Sequence, residues 1–141
     1  MAETDHLAIA EALETMHEDL IHRVVVALTA ALPMIGISEQ AEDRRMLHQH
    51  NMESTVHRFH AIVQNGITVD MRLVAAEYDW AGRKLATMGA HWEHQATLIA
   101  LYFDEARRLR PWTAEELATL AQIQEQITRT ARNAYNELTE A

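Results

Sequence analysis

The sequence predicts an all-α fold, a bundle of about five helices whose crossings admit a globin-like arrangement. Three observations lead there. Alanine, leucine, glutamate, glutamine and arginine dominate, and all are good helix formers. Four glycines and two prolines are too few for the many turns of a sandwich or barrel. Apolar residues recur at steps of three and four along most of the chain, the period of an amphipathic helix. With 141 residues, 48% of them apolar, the chain has the size of one domain and enough apolar mass for one core, so residues 1–141 are read as a single domain.

The first helix is expected from Thr4 or Asp5 to about Leu32, because Leu13, Met16, Leu20, Val24, Leu28 and Leu32 form one stripe. Pro33 stops it, and Met34 to Ile37 connect onward through Gly36. Ser38 suits the cap of a second helix reaching Asn65, with Met52, Val56, Phe59 and Val63 inward. Gly66 suits the left-handed stop position that follows. After Ile67 to Val69, Asp70 caps a third helix that carries Val74, Tyr78, Ala81, Leu85 and Met88 inward and closes at Gly89. A fourth, from about Trp92 to Arg110, buries Leu98, Tyr102, Ala106 and Leu109. Its arginines 107, 108 and 110 fall where cations complement the helix dipole. Pro111 ends it, and Thr113-Ala-Glu-Glu116 is a capping box that opens the last helix.

In that last helix Leu117, Leu120, Gln124, Ile127, Ala131, Ala134 and Leu138 keep alternating steps of three and four, the spacing of a coiled coil. Two readings stay open: an ordinary bundle helix, or an output helix that pairs between subunits. The second gives a homodimer through Leu117, Leu120, Ile127 and Leu138.

Composition narrows the partners. A formal net charge of −9 repels phosphate backbones, so no direct nucleic-acid contact is expected. Without cysteine there are no disulfides, thiolate metal sites or cysteine nucleophiles. No apolar run approaches the ~20 residues of a membrane span. The acidic start, Met-Ala-Glu-Thr-Asp-His, lacks the features of a signal peptide, so the cytoplasm is the expected compartment.

Nine histidines raise the question of a metal or haem. Di-metal carboxylate bundles need two Glu-x-x-His pairs and two further glutamates; Glu14-x-x-His17 supplies one pair, while Glu18 and His22, like Glu53 and His57, stand four apart. His57 with His60, and His91 with His94, have the three-residue spacing that puts two imidazoles on one helical face. Two histidines are a fragment of a zinc site. No metal ligand and no cofactor is therefore assigned, although one histidine in an apolar pocket can hold a haem and a haem- or metal-binding sensor stays as an alternative. Gly-rich phosphate loops, a Gly-x-Ser-x-Gly elbow and a His-Glu-x-x-His helix are all missing, so no catalytic residue is named and the chain is not expected to be an enzyme. If an unidentified small molecule binds, Trp80, His91, Trp92 and Tyr102 are the residues expected around the pocket mouth.

Ala81-Gly-Arg-Lys-Leu85-Ala86-Thr-Met-Gly89-Ala90, followed by Leu98-Ile-Ala-Leu-Tyr102, resembles the "A…LA-x-x-G" turn and "L…AY" helix of the RsbRD-type N-terminal domain. The order of the preceding elements agrees, and the resemblance runs from about Met16 to Leu138. Phe103-Asp104-Glu105 stand where that family usually has a basic residue and a glycine. The resemblance implies a regulatory input domain, as found at the N-terminus of PucR-like transcription regulators and in stressosome co-antagonists related to non-haem globin sensors. It makes the chain the N-terminal part of a longer bacterial regulator, a non-catalytic signal-sensing or dimerisation module. A freestanding helical adaptor is the other alternative.

Overall fold

Helix formers and a three-four apolar period become six α-helices in the computed structural model, which describes residues 2–31, 42–86 and 92–140, with side chains over 5–31, 50–79 and 92–136. They are α1 (Ala2–Thr15), α2 (His17–Ala31), α3 (Glu42–Thr68), α4 (Arg72–Ala86), α5 (Trp92–Arg108) and α6 (Ala114–Glu140). Among the described residues there is no strand, and the fold is an all-α bundle. No helix is long and apolar enough to cross a membrane among the described residues.

The expected first helix is two helices, broken at Met16. Side chains compete with the backbone there: Thr15 Oγ1 donates to the Glu11 carbonyl (2.9 Å), and His17 Nδ1 donates to the Glu14 carbonyl (2.8 Å). Such back-bonding bends helices, and a ring nitrogen set into the ladder is a recognised cause of a kink. The chain still runs on in one general direction, antiparallel to α3, since Ala10 meets Gln64 and Glu14 meets His60. α2 lies against α3 and α5, α1 against α3 and α6, and α4 against α3 and α6.

The core is built from the stripes read in the sequence. Leu13, Leu20, Val24, Leu28, Val56, Phe59, Val63, Val74, Tyr78, Leu98, Tyr102 and Ala106 are all buried, with Met16, Met52 and Leu109 packed against them. α5 is enclosed more fully than one stripe would allow, because Tyr102 and its neighbour Phe103 both have zero exposure. On α6, Leu120, Ile127, Ala131 and Ala134 face the chain's own core. Leu120 and Ile127, both without exposure, pack within the chain's own bundle, the first of the two readings of that stripe. Leu117 is partly open, at 38% exposure.

The corners obey the turn chemistry. Asp70 Oδ1 accepts from the Arg72 amide at 2.8 Å and caps α4. The Thr113–Glu116 capping box is reciprocal, with the Glu116 amide on Thr113 Oγ1 (3.1 Å) and the Thr113 amide on Glu116 Oε1 (2.9 Å). Trp112 Nε1 donates to the Ala106 carbonyl (3.0 Å) under the Arg110 guanidinium, 4.3 Å from the indole ring, and this pins the α5–α6 corner. Leu32, Pro33, Met34 to Ile37 with Gly36, Ser38, Met88, Gly89 and His91 lie outside the described residues, as do the side chains of Trp80, Ala81, Leu85 and Leu138.

Gly66 departs from its expected role. α3 continues to Thr68, so Gly66 is a buried interior residue rather than the stop. Its value is space: a Cβ there would stand 2.7 Å from Val74 Cγ2 of α4. Gly66→Ala gains helix propensity of about 1 kcal/mol but forces an overpacked contact that costs about 1–3 kcal/mol. The expected outcome is a lower urea midpoint, partly restored by adding Val74→Ala; an unchanged or higher midpoint for the single variant would refute the close approach.

Candidate functional site

An imidazole set among Val56, Phe59 and Val63 lies at the centre of the site. His60 stands four residues after Val56 and three before Val63, so the helical period turns it inward, and it is buried. Burial obliges both ring nitrogens to find partners. Nδ1 lies 2.7 Å from the Tyr102 hydroxyl of α5, and Nε2 lies 2.9 Å from Glu14 Oε2 of α1.

Proton placement follows from donor chemistry. An ionised carboxylate only accepts, so Nε2–H donates to Glu14. In the neutral ring Nδ1 then carries the lone pair, and Tyr102 O–H donates to it. The chain reads Glu14 carboxylate, His60, Tyr102 phenol, and it crosses three helices. Its ends differ: the Glu14 side chain is 58% exposed, whereas Tyr102 has no exposure. The hydrogen bond from His60 holds the Glu14 carboxyl below its usual pKa, helped by the nearby imidazoles of His60 and His17. Burial drives the Tyr102 phenol far above its ordinary range, and the Glu14 charge adds to that.

Aromatic rings hold the chain in place. Phe59 and Phe103 meet Tyr102 edge-on, with centroids 5.1 and 5.2 Å away. The His17 ring stacks on His60 at 5.9 Å and 27°. The helix break at Met16 therefore has a local use: it seats His17 over His60 while Glu14, one turn earlier, reaches the same imidazole. Glu14 thus serves the hydrogen-bond chain, while His17 stacks on its central ring. Among the described residues, no three His, Asp or Glu side chains are grouped so as to hold a metal ion.

Of the residues expected around a pocket mouth, Trp92 and Tyr102 have described side chains, and these two meet different neighbours. Tyr102 belongs to the chain just described. Trp92, ten residues earlier on α5 and so roughly 15 Å away along the axis, packs against Tyr135 of α6 with centroids 5.7 Å apart. Tyr135 in turn meets Tyr78 of α4 at 6.4 Å, and Gln95 is buried on the same helix as Trp92. Trp80's side chain and His91 lie outside the described residues. A groove of about 430 Å³ runs along α6 past Ala121, Gln124, Glu125, Thr128, Arg129 and Arg132. A smaller notch of about 170 Å³ separates α1 from the start of α6. Neither is lined by Trp92 or Tyr102.

In the sequence Glu14, His60 and Tyr102 fall into separate patterns. The available signal was position: His60 falls in the buried stripe of its helix, where a polar group requires partners. Comparison with family models, with curated proteins and with solved structures finds no match to this chain.

Two outcomes follow. Tyr102→Phe strands His60 Nδ1 in the core and should cost about 1–3 kcal/mol in urea unfolding; a neutral result would mean the hydroxyl is not bonded as described. Glu14 has a depressed carboxyl pKa in the folded state, so its contribution is complete above the ordinary carboxyl value of 4.5 and disappears as pH falls through the folded value. The stability gap between the natural chain and Glu14→Gln should thus be present at neutral pH and close as the pH falls through the lowered carboxyl value; a gap that persists in strong acid would show that the carboxylate charge is not its source.

Proposed function

We propose that this chain is a signal-sensing or dimerisation input domain of a bacterial transcription regulator, acting in the cytoplasm and catalysing no reaction itself. One observation carries the sensing half: a polar chain runs from the exposed Glu14 carboxylate through His60 to a fully buried phenol and joins α1, α3 and α5. An apolar core alone would hold these helices together. A satisfied polar network adds directional bonds that specify one packing, so an event that breaks or rewires them would favour a different arrangement. A ligand or chemical event that favours one arrangement shifts their populations by its differential free energy. The resemblance at residues 81–102 supports the place of such a module in a regulator. The long α6, whose outer face stays open while its inner face packs on α4 and α5, is suited to pass the change onward or to a second subunit.

With Glu14→Gln introduced at the native gene, transcripts that change on deleting the gene should also change in the variant, while the chain accumulates normally. A deletion that alters no transcript would remove the regulator reading. Sedimentation of the purified chain should give a dimer mass; a monomer at every concentration would remove the dimerisation half.

A further inference from the structure

We propose that Tyr102 is a redox-active tyrosine, with His60 as its built-in proton acceptor and Glu14 as the counter-charge. The proposal deepens the sensory reading and rests on it for its biological meaning, since it makes the signal a one-electron oxidant.

The proton stays within the chain, and the electron passes to an external one-electron oxidant. An outer-sphere one-electron oxidant takes an electron from the Tyr102 ring and is itself reduced. The phenolic O–H bond breaks, a new N–H bond forms at His60 Nδ1, and a neutral phenoxyl radical remains. The resulting imidazolium donates from Nδ1 to the phenoxyl oxygen and from Nε2 to the Glu14 carboxylate. A one-electron reductant reverses the step, and the proton returns over the same 2.7 Å.

Three features favour this chemistry. First, oxidising a phenol makes it a strong acid, so the electron leaves readily only where a base stands ready, and Nδ1 is in hydrogen-bond contact with the hydroxyl. Burial keeps the phenol from ionising beforehand, so the proton does not leave ahead of the electron. Second, the new positive charge is formed 2.9 Å from a carboxylate that stays ionised. Third, the proton inventory suits oxidation better than simple protonation. A proton taken from solvent would make Nδ1 a donor towards Tyr102 and leave the phenolic O–H to seek a second acceptor, yet its hydrogen bond among the described residues is the one to His60. Moving Tyr102's own proton leaves every donor of the chain with an acceptor. Zero exposure bars the radical from solvent and from a second radical, while an electron needs no open path. Tyr78 and Tyr135, whose rings meet each other and, for Tyr135, Trp92, serve as internal controls.

The test uses the whole chain with photogenerated trisbipyridyl ruthenium(III) as the oxidant and the tyrosyl radical read by electron paramagnetic resonance and transient absorption. A long-lived tyrosyl signal is expected that survives Tyr78→Phe and Tyr135→Phe and vanishes in Tyr102→Phe. His60→Gln should slow its formation roughly a hundredfold, the usual worth of a positioned proton acceptor. Should that variant fail to fold, the natural chain in heavy water gives the same information: formation slows, because a proton moves with the electron. A signal that persists in Tyr102→Phe, or a rate indifferent to heavy water, overturns the redox assignment and leaves the sensory reading standing. A Tyr102 radical formed in vitro, with target transcripts that ignore the oxidant and Tyr102→Phe alike, supports the redox chemistry and removes the sensory reading.

Discussion

A histidine inside a helical bundle carries two ring nitrogens that must both be satisfied, and in an apolar core the partners must come from other helices. For His60 they come from α1 and α5, at 2.9 and 2.7 Å. Much of the surrounding structure follows from that demand. α1 runs antiparallel to α3, so that Glu14 meets the ring and Gln64, one turn further along, donates to the Ala10 carbonyl. α5 has to turn Tyr102 towards α3, which places Phe103 equally deep on the adjacent face and leaves the helix enclosed. Hydrophobic burial supplies most of the stabilisation, but it is non-directional. The polar chain fixes which residue of one helix stands opposite which residue of the next.

The fold was largely legible in the sequence because its signals are local. Stripes at Leu13 to Leu28, Val56 to Val63 and Leu98 to Ala106 are set by helical period alone, and the Thr113–Glu116 box and the Asp70 cap are completed within a few residues. What escaped was decided by side-chain competition for backbone groups and by tertiary contact. The break at Met16 depends on ring and hydroxyl groups competing for backbone carbonyls, which periodicity does not register. Gly66 carries every mark of a helix stop, yet the neighbouring helix decides its role. The α6 stripe has coiled-coil spacing, but spacing does not say whether the facing helix belongs to the same chain, and here Leu120 and Ile127 meet their own bundle.

The site was legible only in pieces. The Glu14–His17 pair, His60 and Tyr102 belong to separate patterns in the sequence, separated by up to 88 positions, counting from 14 to 102. Nothing local ties a carboxylate in the first helix to a phenol in the fifth. The informative clue was an inward histidine, because burial turns a polar residue into a demand for unnamed partners. Trp92 illustrates the opposite case. Its position near other aromatics in sequence suggested one cluster with Tyr102, but ten residues of helix carry the two to different neighbours.

The contact at Gly66 has a consequence for the sequence's history. The hydrogen atom at position 66 and the Val74 methyl 2.7 Å from where a Cβ would stand are effectively one choice divided between two helices. In related chains, alanine at position 66 should travel with a smaller residue at position 74, and neither should drift alone. Positions 14, 60 and 102 form a second set bound in the same manner, joined by protons instead of volume. Inheritance would therefore treat these distant residues as units, and their joint variation would trace the packing of α1, α3, α4 and α5 without any reference to coordinates.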